Sequence, residues 1–201
     1  MELYMGPDNK PRCRWCGDAP QFLAYHDQEW GFPVADDRRL FEKLCLESFQ
    51  AGLSWRTILV KRENFRAAFD NFEIDRMARF TEHDVERLLS DAGIIRHRGK
   101  IEAVINNARC AQQLIAEAGS LAAYFWSYEP DPETLPAPQT QTTSAVSAEV
   151  ARALKKRGWR FVGPTTIYSF MQAMGLINDH ADECIVRSRV SEARRRFVPP
   201  R

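Results

Sequence analysis

Apolar residues recur at intervals of three and four along nearly the whole chain, and this spacing limits the possible folds more than any other feature. Phe65, Ala68, Phe69 and Phe72 fall at i, i+3, i+4 and i+7. The same stripe returns in Val85, Leu88, Leu89 and Ala92, and again in Ile101, Val104, Ile105 and Ala108. No alternating pattern of useful length points to strands, so the expected fold is all-α. Asp36 and Asp37 favour a helix start before "RRLFEKLCLESFQAGL", and Thr81 with Asp84 reads as a capping box. Gly93 falls where a glycine would stop the helix that Thr81 opens. Ser147 is placed to open a helix ending at Gly158, and Thr165 one ending at Gly175. The one clear loop is "EPDPETLPAPQTQTTS", residues 129–144, rich in proline and threonine.

At 201 residues the chain is expected to form a single domain, 1–201, with a substantial core. Its 44% hydrophobic and 27% charged content argues against disorder. No apolar run approaches the roughly 20 residues of a membrane helix. The start, "MELYMGPDNKPR", lacks the basic-then-apolar layout of a signal peptide. A cytoplasmic monomer with no membrane partner is therefore expected. Five scattered cysteines suit core positions and metal ligands better than disulfides in a reducing compartment. A net charge of +1 creates no global attraction for nucleic acid. Two local basic clusters, "RHRGK" (96–100) and "KKRGWR" (155–160), each surround a glycine, and solvated surface charge is their plainer reading.

His180 and Cys184, in "NDHADEC", stand four residues apart. On a helix both would point to one face and could share a metal. An imidazole and a thiolate suit zinc, but a closed structural site needs about four ligands. Cys13 or Cys16 from "CRWC", together with His26, would complete a Cys₂His₂ set joining the chain ends. The competing reading is a surface histidine and a half-buried cysteine that never meet. Catalytic zinc fits poorly. H-E-x-x-H is absent, and "HDQE" has the wrong spacing for a deaminase and follows the cysteines instead of preceding them.

The helix after Asp37 carries Leu40, Leu44, Glu47 and Ala51 in one stripe, with apolar residues on most other positions. Glu47 is then a carboxylate on a largely buried helix, which is costly unless it is paired or hydrogen-bonded. It serves either a structural ion pair or a pocket. Trp15, Tyr25, Trp30 and Trp55 lie near in sequence. Aromatics alone usually mean core, but with a buried carboxylate they can cage a flat cation. "SDAGIIRHRGKIEAV" reads as two helices around a short glycine-bounded turn with basic residues at its tip. Such a turn suits a DNA phosphate, although an ordinary corner between helices has the same outline.

Together, "AYHDQEWGFP", "LESFQAGLSW", "DAGIIRHRGKI", "ALKKRGWRFVGPTTIYSFMQAMG" and "NDHADEC" closely resemble the bacterial 3-methyladenine DNA glycosylase I family, over roughly Cys13 to Cys184. The resemblance implies a helix-hairpin-helix glycosylase fold. It also implies an enzyme that flips and hydrolytically releases N3-methyladenine from double-stranded DNA, leaving an abasic site. It implies one structural Zn2+ on Cys13, His26, His180 and Cys184. The implied base pocket is Trp15, Tyr25, Glu47 and Trp55, with Phe22 beside it, and Glu47 is also the implied catalytic residue. Leu53 matches a wedge into the DNA stack and Gly52 a backbone contact at the lesion. Arg96, Arg98, Gly99 and Lys100 form the basic hairpin facing DNA. Gly163 and Thr165 support the pocket side. Ser48 stands where the family has a glycine, and Cys16 adds a second candidate ligand. Residues 1–12, an N-terminal extension, and the basic tail 185–201 lie outside the match.

No lysine nucleophile is evident among the pocket residues, so the implied enzyme is monofunctional. Two alternatives are a non-catalytic helix-hairpin-helix DNA-binding protein with structural zinc, and a zinc hydrolase with three protein ligands and an open coordination position. The first leaves Glu47 and its aromatics without a purpose.

Overall fold

The helix Asp37–Gln50 owes its length to a good start and an apolar body. The computed structural model describes residues 3–201. In it the chain opens with a short hairpin of β1 (Leu3–Met5) and β2 (Pro11–Cys13), antiparallel with Leu3 opposite Cys13. A 3-10 turn (Arg14–Asp18) leads to α1 (Phe22–Gln28) and then to α2 (Asp37–Gln50). The Asp36 carboxylate accepts from Arg39 N at 2.8 Å, capping α2, and every residue from Leu40 to Phe49 is buried. Asp37 accepts from Leu121 N (3.0 Å) and Ala122 N (2.8 Å), tying α2 to the start of α8 (Leu121–Trp126).

Around α2 pack α3 (Trp55–Val60), α7 (Arg98–Ala118), α8 and α10 (Pro164–Ala173). The remaining helices are α4 (Arg62–Ala68), α5 (Ile74–Met77), α6 (Glu82–Ser90), α9 (Ala145–Lys156) and α11 (Arg187–Arg196). The stripes of α6 and α7 are buried through Val85, Leu88, Ile101, Val104, Ile105 and Ala108. None of the helices is long and apolar enough to cross a membrane, among the described residues.

Several local expectations change. The fold is mostly helical, but the N-terminal hairpin adds two strands that periodicity did not indicate. Helix α4 stops at Ala68; Asp70, Asn71 and Phe72 all take left-handed conformations, and Phe72 still reaches the core, stacked 5.7 Å from Phe69. Asp and Asn tolerate that geometry, so the apolar spacing outlasts the helix. Gly93 does not end α6. Asp91 does so in extended geometry, and its carboxylate then accepts from Gly93 N at 2.7 Å. The cap of α9 is Ser144, with Ser147 answering it in a reciprocal box. Pro164, not Thr165, opens α10, where the missing N–H costs nothing. The tail is ordered as α11: Val190 is buried, and the Phe197 ring packs tilted against Trp126 with centroids 4.4 Å apart.

Candidate functional site

His26 leaves α1, Cys13 ends β2, and His180 and Cys184 sit in the turn before α11; the four meet in the interior. The His180–Cys184 segment is not helical, so the four-residue spacing works through a turn. Cys13 Sγ and Cys184 Sγ lie 3.6 and 3.5 Å from His180 Nδ1, and Cys184 Sγ lies 3.5 Å from His26 Nε2. All four residues are buried, and their ligand atoms lie within 4.8 Å of one another, so the group could hold a metal ion. The outward ring nitrogens are engaged as well: His180 Nε2 with Trp30 O at 3.0 Å, and His26 Nδ1 with Asp27 at 2.7 Å. Such outer partners fix which nitrogen faces the cluster.

Residues before the resemblance help to build this cluster. Arg12 in β2 is buried, and its guanidinium binds both Asp27 (2.9 Å) and Asp8 (2.6 Å). Pro11 O accepts from Ile185 N at 2.9 Å, which seats the C-terminal segment on the hairpin. Cys16 is buried close to His26 and Asp27, whereas Cys13 is the thiol that faces both histidines and Cys184.

Next to the cluster, one cavity of about 590 Å³ is lined by Trp15, Phe22, Tyr25, Glu47 and Trp55. All five residues expected to form the base pocket are therefore brought together. Trp15 meets Phe22 edge-on at 5.6 Å, and Tyr25 lies 5.3 Å from Trp55. Trp15 also touches Trp30 at 5.2 Å, and Trp30 touches His180 at 4.7 Å, so the aromatic wall backs directly onto the Cys/His cluster. Gln139 and Gln141 from the 129–144 loop, with Gln172 from α10, also line the cavity.

Sequence reasoning missed Lys43. It is buried one helical turn before Glu47, with its ammonium 2.7 Å from Glu47 Oε1 and 2.7 Å from the Tyr25 hydroxyl. The same ammonium stands 3.5 Å from the Trp55 ring centroid. Burial lowers the Lys43 pKa, and Glu47 opposes that shift. Burial, with Glu47 and Glu29 nearby, raises the Tyr25 phenol well above its ordinary range. Lys43 does not line the cavity; it holds the wall from behind. Its only legible signal is the four-residue spacing to Glu47, which ordinarily describes an exposed pair.

The residues expected to face DNA divide. Gly52 (φ 78°) and Leu53, 41% exposed, form the turn after α2. Arg96 is exposed with no ion pair among the described residues, and Gly99 lies in the first turn of α7. Arg98, by contrast, is committed to Glu82 (2.6 Å), Glu86 and Glu102 (3.3 Å), which raise its pKa. Lys100 is buried, and its ammonium donates to Phe49 O (2.8 Å) and Ala51 O (2.5 Å). It satisfies the orphan carbonyls that end α2 and is not free to meet phosphate, which corrects the expectation for that residue.

The family model for methyladenine glycosylase matches residues 15–188. The chain is 49% identical over 177 residues to the DNA-3-methyladenine glycosylase 1 of Escherichia coli (strain K12), spanning 86% of this chain and 95% of that one. It is 41% identical to the DNA-3-methyladenine glycosylase of Haemophilus influenzae, across 86% of this chain and 96% of the relative. A 3-methyladenine DNA glycosylase I variant solved in complex with 3-methyladenine superposes with a TM-score of 0.82 at 36% identity, covering 87% of this chain and 96% of its own. The chain belongs to the methyladenine glycosylase family.

Proposed function

We propose that this protein is a monofunctional DNA-3-methyladenine glycosylase of base-excision repair, acting on double-stranded DNA as a cytoplasmic monomer. The observation that carries the reading is the cavity in which Trp15, Tyr25 and Trp55 surround the carboxylate of Glu47. A base must leave the stack before such a cavity can hold it, and unstacking costs a few kcal/mol. Leu53, exposed on the turn after α2, is suited to fill the gap left behind. The hairpin made by α6, the turn 91–97 and α7 is read as the helix-hairpin-helix element, with Arg96 and Gly99 toward the phosphate backbone.

N3-methyladenine in DNA is a cation, and its glycosidic bond is already weakened. The enzyme therefore has to hold the base, exclude neutral adenine and stabilise positive charge growing on the sugar. Aromatic faces favour a cationic ring over a neutral one. Glu47 adds charge complementarity and accepts from the exocyclic amine. In this account Glu47 recognises the base and does not protonate it. Lys43 holds one Glu47 oxygen, which leaves the other to the cavity.

The four-ligand cluster is assigned a single structural zinc. Tetrahedral zinc with Zn–S near 2.3 Å and Zn–N near 2.0–2.1 Å places sulfur about 3.6 Å from nitrogen. The sulfur–nitrogen distances here, 3.5 and 3.6 Å, fit that requirement. With every ligand supplied by protein, the ion would clasp the two chain ends and leave no position for substrate.

The test is release of free 3-methyladenine from methylated duplex DNA. No lysine lines the cavity among the described residues, so borohydride should trap no covalent protein–DNA adduct. A trapped adduct contradicts the monofunctional reading, and DNA binding without base release favours the non-catalytic one.

A further inference from the structure

Phe161, between α9 and α10, holds a left-handed backbone conformation (φ 54°) while the residue is 42% exposed. A bulky residue adopts that conformation only where its surroundings impose it. Two buried polar side chains from different helices do so. Asn107 of α7 clamps the preceding residue, its Oδ1 accepting from Arg160 N at 2.8 Å and its Nδ2 donating to Arg160 O at 2.9 Å. Ser48, completely buried in α2, shares its hydroxyl proton between Leu44 O (2.9 Å) and Phe161 O (3.0 Å). A glycine at position 48, as the resemblance implies, would leave the Phe161 carbonyl without that donor.

The held ring stands at a particular place. Ser48 occupies the last turn of α2, the helix that runs into Gly52 and Leu53. His97, in the turn 91–97, lies 6.4 Å from the Phe161 ring, and Lys100 grips Phe49 O and Ala51 O at the same helix end. The exposed Phe161, the exposed Leu53 turn and the basic turn 91–97 are thus all tied to the C-terminal end of α2, with the exposed Arg160 next to Phe161 in the chain. Phe161 is not part of the buried core.

We propose that Phe161 is a second DNA-contacting side chain, which packs against the nucleotide flanking the lesion while Leu53 fills the vacated stack. The inference rests on the glycosylase reading above. Losing an aromatic face stacked on a base should cost about fivefold to about a hundredfold in affinity.

Phe161→Ala, Phe161→Gly and Phe161→Tyr test it, measured by single-turnover excision from methylated duplex, by affinity for free 3-methyladenine and by Tm. We expect Phe161→Ala and Phe161→Gly to lower duplex affinity and excision at sub-saturating protein about tenfold. Free-base affinity should stay within about twofold, below the tenfold worth of one stacked base. Phe161→Tyr should keep most of the activity. Phe161→Gly should not lower Tm, because glycine accepts the conformation without strain. Excision unchanged in Phe161→Ala overturns the inference, and so does a parallel loss of free-base affinity. A wild-type protein that releases no base at all instead overturns the glycosylase reading itself.

Discussion

Lys43 puts an ammonium behind the wall that carries Tyr25, Glu47 and Trp55, and touches all three. Lys43→Met leaves the Glu47 carboxylate buried without its counter-charge, and breaking such a pair costs about 3–5 kcal/mol. Urea unfolding should show that loss, and the double variant Lys43→Met/Glu47→Gln should be more stable than Lys43→Met alone. Strictly additive costs would mean that the two groups do not depend on each other. The five cavity residues were legible because a carboxylate on an apolar helix is anomalous and the aromatics around it are dense. Lys43 was not, because a lysine four residues from a glutamate ordinarily marks a solvated face. Lys100 misled for a related reason: basic residues at a turn suggest phosphate, and only the packing reveals that the end of α2 needed a donor.

Helices were legible at their centres and less so at their ends. The stripes of α6 and α7 sit where spacing put them, but Gly93, Ser147 and Thr165 each missed the boundary by a few residues. Those ends are decided by capping contacts, such as Asp91 with Gly93 N and Ser144 with Ser147 N, which apolar spacing does not encode. Gly175, after α10, shows how an end can be fixed from outside. Its φ is 81°, and a Cβ there would stand 2.5 Å from Pro33 N and 2.6 Å from Phe32 C. Gly175→Ala should therefore lower Tm and cost at least about 1–3 kcal/mol from backbone strain alone; an unchanged Tm would show that the 31–34 strap moves freely. The N-terminal hairpin gives a pH signature. Hydrogen bonding to Arg12, chiefly, holds the Asp8 carboxyl at about 2, below its ordinary 3.8. A depressed carboxyl stabilises the folded state above its unfolded value, and that contribution is lost as pH falls from about 3.8 through about 2. Asp8→Asn should flatten the stability curve in that interval, and an identical acid limb would remove the hairpin pair from the account.

At the scale of the whole molecule, the two chain ends close on each other through Cys13, His26, His180 and Cys184, next to but apart from the cavity. Metal analysis should find one zinc per chain, and a strong chelator should lower Tm by many degrees, since metal-binding free energy is folding free energy. Cys184→Ala should do the same. A folded, metal-free variant that has lost only excision would move the metal into the chemistry. Both halves of the Cys/His group were visible in the sequence, yet their partnership across more than 150 residues depends on the hairpin, Arg12 and Asp27 that align them. Under the proposed function, the aromatic–carboxylate cavity reads the damaged base through Glu47. The most direct test of that claim measures two quantities on Glu47→Gln: affinity for free 3-methyladenine and single-turnover excision. Both should fall together, by about tenfold to a hundredfold, the worth of a charge-assisted hydrogen bond. Excision abolished with base affinity intact would contradict the claim and make Glu47 a participant in bond cleavage.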